Sequence, residues 1–158
     1  GLIPPGITWY HDFDCFQLAP FGDPILIPEE DFGLARYGRM PRLCSASMFF
    51  RETAGDFIQL VKDTGDATKT DEERTLMRLV YNPTPEIAAR VKILNTTYAF
   101  HRFNLRHCYA EAVKPIKAAH FHLTPDKYDF YVRGKNKLGM PLIPERLVEV
   151  FHAHGWTA

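Results

Sequence analysis

The feature that most limits this fold is the crowding of proline and glycine into the first third of the chain. Residues 1–52 hold six of the twelve prolines and five of the ten glycines. Stretches such as GLIPPG, LAPFGDPILIPEED and RYGRMPRL leave no room for a long regular helix. Proline lacks an amide hydrogen, and its ring clashes with the preceding turn. The same segment is nonetheless rich in large apolar side chains, too rich for a disordered tail. The sequence therefore predicts an extended proline-rich arm over residues 1–52, lying along its own domain or along a partner. Its contact side chains are Trp9, Tyr10, Phe13, Phe16, Phe21, Phe49 and Phe50, because so many aromatics exceed what one small domain can bury.

Residues 53–158 read as helices with short links, and no strand signal is strong. Thr53 opens a helix through Val61 that stops near Gly65, with Phe57, Leu60 and Val61 on one face. Thr70 and the acidic run Asp71-Glu72-Glu73 open a second, whose stripe is Leu76, Leu79 and Val80. In Asn82-Pro83-Thr84-Pro85-Glu86-Ile87, Pro83 ends that helix, Thr84 caps the next and Pro85 takes its first position, where a missing amide costs nothing. The apolar positions Ile87, Val91 and Leu94 then continue at helical spacing. A long helix is expected from Phe100 to Ile116, and two more open at Thr124-Pro125-Asp126 and Ile143-Pro144-Glu145. Short links between helices favour antiparallel neighbours. The predicted fold is all-α: a right-handed superhelix of helical hairpins over residues 53–158, preceded by the arm.

Charge excludes one class of partner. Lysine plus arginine equals aspartate plus glutamate at 19 each, so there is no basic footprint for a phosphate backbone and no nucleic-acid partner is expected. Cys15, Cys44 and Cys108 form no CxxC pair and are odd in number, which predicts free thiols in a reducing compartment. No apolar run reaches the length of a membrane span. The glycine start, without an arginine-rich leader, reads as a processed chain.

The search for chemistry finds candidates without a constellation. His120-Phe121-His122 and His152-Ala153-His154 have the spacing of a chelating pair in extended chain, but neither has a companion CxxC or a placed carboxylate. Cys108 falls on an apolar stripe and reads as a small buried hydrophobe. His11, Asp12, Asp14 and Cys15 form a dense polar cluster beside Trp9 and Tyr10, on an arm that is a poor platform for catalysis. No phosphate-cradling or nucleophile-elbow motif occurs. Catalytic, cofactor and metal residues are accordingly expected to be absent.

Four segments in order carry a family resemblance: LVYNPTPEIAARVK, AEAVKPIK, DKYDFY and KLGMPLIPERL. Pro83, Pro85, Ile87, Ala88, Ala89 and Arg90, then Asp126, Tyr128 and Tyr131, then Leu138, Gly139, Met140, Pro141, Glu145 and Leu147 resemble the helical domain of cytochrome c oxidase subunit Va, called subunit VI in fungi. The resemblance spans about residues 53–150 and leaves the arm uncovered. It implies a non-catalytic accessory subunit of respiratory complex IV, without haem or copper. Such a subunit is peripheral on the matrix side of the inner mitochondrial membrane and bound to other oxidase subunits, where it supports assembly and stability. The alternatives are a helical-repeat adaptor of another assembly and a small metal-dependent enzyme using the HxH pairs.

Overall fold

The computed structural model describes residues 6–13, 15–21, 24–36, 42–101, 108, 110–120, 148–149 and 152–153. Strands β1 (Thr8–His11), β2 (Cys15–Gln17), β3 (Phe32–Arg36) and β4 (Leu43–Phe50) come first. Helices α1 (Gly55–Thr68), α2 (Glu72–Tyr81) and α3 (Pro85–Arg90) follow, then β5 (Val91–Leu94), β6 (Phe100–His101) and β7 (Ala118–His120). Four strands form one sheet in the order β1-β4-β3-β5, and three form a second in the order β2-β7-β6. In the main sheet β4 is antiparallel to β1 and to β3, and β5 is parallel to β3. β1, β3 and β5 therefore point the same way. The fold is mixed α/β.

This corrects the all-α superhelix with an extended arm. Residues 1–52 supply three of the four main-sheet strands, and β3 sits between β4 and β5. The prolines and glycines punctuate short strands where the sequence reading saw irregular chain. Phe32, Leu34 and Ala35 in β3 are all buried, the apolar run of a strand covered on both faces. Gly33 belongs there because a Cβ would come within 2.8 Å of Leu26 Cδ2 and 3.3 Å of Leu94 Cδ1.

The second error concerns Ile87, Val91 and Leu94. Helix α3 forms as its punctuation dictates: Pro85 opens it and Thr84 Oγ1 accepts from Ile87 N at 3.4 Å. It ends at Arg90, and Val91–Leu94 then pairs with β3. Four residues with two β-branched side chains gain more from a waiting sheet edge than from one further helical turn. The helix stop at Gly65 also fails. α1 runs to Thr68, and Lys69 takes the left-handed turn at φ 54°. Gly65 serves close packing, since a Cβ there would lie 3.3 Å from both Thr70 O and Thr75 Oγ1. Of the long helix expected over Phe100–Ile116, residues 100–101 are strand, and among the described residues helix falls at Cys108 and 110–111, with strand β7 following at Ala118. The helices expected at Thr124 and Ile143 begin outside the described residues.

The main sheet has two cores. On one face Phe32, Leu34 and Leu43 meet Phe57, Leu76, Val80 and Ile87 of the helices. On the other, Phe49, Ala46 and Cys44 meet Phe21, Ile25 and Leu26 of the loop before β3, with Ala99 and Ala118. β4 serves both faces through a bulge. From Leu34↔Met48 to Arg36↔Leu43, β3 advances by two residues while β4 advances by five, which reverses the alternation of side chains along β4.

Arg90 ties the layers together. Its guanidinium donates to Asp31 Oδ2 at 2.7 and 3.0 Å and to Asp56 at 2.6 and 2.7 Å. The backbone bond from Asp31 N to Arg90 O, at 3.0 Å, fixes the end of α3 at the start of β3.

Candidate functional site

Strand β1 presents its side chains to two different places. Trp9 turns to the aromatic core, edge-on to Phe21 at 5.1 Å, and its Nε1 donates to Ser47 Oγ at 3.0 Å. Ser47 Oγ donates in turn to Tyr98 O at 2.7 Å. His11 stacks on Trp9 at 4.2 Å. Tyr10 turns to the helix face. Alternation along an edge strand thus divides anchoring side chains from exposed ones.

Asp12 ends the strand. Its amide donates to Ala46 O at 3.2 Å, and its carbonyl accepts from Cys15 N at 3.0 Å, closing the turn into β2. The chain passes here from the main sheet to the second sheet. The Asp12 carboxylate is half-buried and accepts from the Tyr10 hydroxyl at 3.3 Å. The negative charge of Asp12 pushes the Tyr10 phenol up, with burial, the shared hydrogen bond and Glu72 adding to it. Asp14, two positions on, lies outside the described residues. Behind the turn, Cys15 stands opposite His120 in the β2–β7 register, and Cys44 Sγ lies 3.7 Å from His120 Nδ1. All three are buried. Of the cluster set aside in the sequence as part of a loose arm, His11, Asp12 and Cys15 are therefore fixed where β1 turns into β2.

A groove of about 410 Å³, lined by Tyr10, opens between the β1–β4 edge and helices α1 and α2. Tyr10, Met48 and Phe50 form its floor, and Ile58, Val61 and Leu76 its helical wall. Lys62 and Glu72 stand among the lining residues. Lys62 pairs with Asp66 at 2.7 Å, and Glu72 accepts from Ser45 Oγ at 3.4 Å. A smaller cavity of about 210 Å³ lies at Asp56, Thr84, Glu86 and Arg90. Arg90 holds the Asp56 carboxyl at about 2 there, well below the ordinary carboxylate value, and its own guanidinium is raised by the same two partners. Its donors are taken up by structure.

The arm residues have separate fates. Phe21 and Phe49 are fully buried in the core, and Trp9 packs against them. Tyr10 and Phe50 line the groove, and Phe13 is fully exposed at the turn after Asp12. Phe16 pairs through its backbone with Ala119. Of the HxH pairs, His120 is buried in β7, His152 lies in a short helical piece, and His122 and His154 fall outside the described residues. Among the described residues no three His, Cys, Asp or Glu side chains are placed to hold a metal ion. No described helix is long and apolar enough to cross a membrane.

Sequence reasoning passed over the Asp12 turn because the surrounding prolines hid the strand that carries it. The alternation of Trp9, Tyr10 and His11 ahead of two carboxylates was the usable signal. The groove had none, since its walls come from β1, β3, β4, α1 and α2.

No family model matches this chain, and no curated protein matches it. Two solved structures do. One is described as a glycosyltransferase involved in the glycosylation of the major capsid of PBCV-1, with 14% identity over 75% of this chain and a TM-score of 0.50. The other is the glycosyltransferase GlyE of Streptococcus pneumoniae TIGR4, with 12% identity over 99% of this chain and a TM-score of 0.51. The chain spans 62% of the length of the first and 45% of the second. At these identities the likeness is one of fold. It overturns the oxidase-subunit resemblance and the accessory role drawn from it. In LVYNPTPEIAARVK the prolines are helix punctuation, which many proteins share, and Val91–Leu94, taken there for helix, is a strand; DKYDFY and KLGMPLIPERL lie outside the described residues. What the chain is similar to is a pair of glycosyltransferases, on a sheet whose strand β1 ends at a carboxylate.

Proposed function

We propose that this chain is part of a glycosyltransferase, an enzyme that moves a sugar from a phosphate-activated donor to an acceptor hydroxyl. The observation that carries the reading is the position of Asp12. It is the first carboxylate of Asp12-Phe13-Asp14 and ends β1 at the turn between the two sheets, in a fold similar to two glycosyltransferases. Asp14 follows within a chain reach of roughly 7 Å. Two carboxylates at this sequence spacing supply hard oxygens, which suit magnesium or manganese.

In the transfer, the acceptor oxygen forms a bond to the anomeric carbon as the bond from that carbon to the phosphate oxygen breaks. The electron pair leaves with the phosphate, and the hydroxyl proton passes to water or to a carboxylate. Asp12 and Asp14 would hold a divalent cation, whose contribution is to neutralise the charge gathering on the leaving phosphate. Tyr10 holds the Asp12 carboxylate through its hydroxyl, and Trp9 and Ser47 anchor the strand from the opposite face.

The test is turnover. The chain is incubated with nucleoside diphosphate sugars and manganese, and release of the nucleoside diphosphate is followed. Release with at least one donor, lost in Asp12→Asn, is the expected result. No release with any donor, or release that Asp12→Asn leaves intact, counts against the reading.

A further inference from the structure

We infer that the groove between β1–β4 and α1–α2 holds the apolar aglycone of the sugar acceptor, an uncharged alkyl or aryl body whose sugar end faces Asp12. Three observations on the groove converge. Its walls are almost entirely carbon: Tyr10, Met48 and Phe50 below, Ile58, Val61 and Leu76 above. Among its described lining residues the two charged ones are exposed: Lys62 is paired with Asp66, and Glu72 accepts from the Ser45 hydroxyl at 3.4 Å. A charged group would have to leave water for walls of carbon, whereas apolar surface gains by leaving water. The third observation is continuity. Tyr10 lines the groove with its ring and bonds Asp12 with its hydroxyl. A ligand lying along the Tyr10 ring therefore ends beside the carboxylate that the transferase reading assigns to the donor.

Size sets the class further. At roughly 30 Å³ for a water-sized group, 410 Å³ accommodates about fourteen such groups. That is enough for a chain of eight carbons or a small ring system, and too little for a full membrane lipid. Naming the ligand as an acceptor rests on the transferase reading; the groove's preference for apolar ligands does not.

The experiment titrates the chain with octyl β-D-glucopyranoside and with methyl β-D-glucopyranoside, below the micellar range, by calorimetry. Octyl glucoside is expected to bind at least about tenfold tighter, since each buried methylene adds to affinity. Ile58→Glu, at a residue 41% exposed on the groove wall, should abolish that difference. Ile93→Glu, at a residue 40% exposed on the distant edge strand β5, should leave it unchanged. Equal affinity for the two glycosides overturns the inference. So does an octyl preference that survives Ile58→Glu or disappears in Ile93→Glu. An absence of octyl binding, as when another part of the polypeptide fills the groove, overturns it as well. Asp12→Asn separates the two proposals, because it should remove donor turnover while octyl binding stays. Octyl binding without turnover in the wild-type chain sinks the transferase reading alone.

Discussion

The two faces of the main sheet are packed with the same kinds of side chain and finish differently. On the face toward the second sheet, Phe21 and Phe49 meet edge-to-face at 5.0 Å, Tyr98 lies edge-on to Phe49 at 5.7 Å, and Trp9 covers them. That face is closed. On the helix face, Phe32 and Phe57 make a similar pair at 4.9 Å. Packing then stops short of the β1 edge, and Tyr10, Met48 and Phe50 are left along an open groove. The difference lies in what covers the edge strand. Trp9 is covered by a loop, while Tyr10 on the same strand faces a gap between two helices. Filled surface contributes stability, and the unfilled surface along Tyr10 is where a ligand has room.

Adjacent residues of β4 test this contrast most sharply. Phe49→Ala should cost roughly 3–5 kcal/mol, because it empties a fully buried aromatic site. Met48→Ala, one residue away on the groove face, should cost about 1 kcal/mol, since solvent already reaches that site. Urea unfolding of the two variants checks both, and equal costs would break the distinction between the faces. Between these two lies Arg90→Ala. It leaves Asp31, a carboxylate only 7% exposed, without its ion pair, and should cost roughly 2 kcal/mol. A loss well under that would mean that the helices are held to β3 by their apolar contacts alone.

The smallest effect is in acid. Arg90 holds the Asp56 carboxyl at about 2 against an ordinary 3.8. Because the folded value is the lower one, this pairing contributes its full stability above the ordinary value. The contribution is lost as pH falls from 3.8 toward 2. Asp56→Asn should therefore lower the melting temperature modestly at neutral pH and flatten its fall across that window, so that the two proteins converge in acid. Thermal melts in acid check this, and an unchanged slope would show that Asp56 is not coupled to folding.

What was legible in the sequence was local. Thr84 and Pro85 declared the start of α3, and the run from Thr70 to Glu73 marked the start of α2, where Asp71, read only as a dipole charge, is the cap that accepts from Arg74 N at 2.8 Å. These signals act within one turn of chain and need no partner. The strands were not legible, because each is short and defined by its neighbours. Phe32–Arg36 is a strand through its pairing with β4 on one side and β5 on the other, and Val91–Leu94 becomes one only through β3. Proline and glycine between such strands imitate an irregular arm. The cluster at His11, Asp12, Asp14 and Cys15 was visible as chemistry and was set aside for want of a platform. The platform is β1, held by its register with Ser47–Phe50.

The most direct test of the account is a manganese titration followed by electron paramagnetic resonance, in the presence of a nucleoside diphosphate, on the wild-type chain and on Asp12→Asn. The account predicts loss of the free-ion signal on the wild-type chain and binding weakened at least about tenfold in the variant, as expected when a charged ligand oxygen is lost. Equal binding by the two proteins, or none by the wild type, would contradict it.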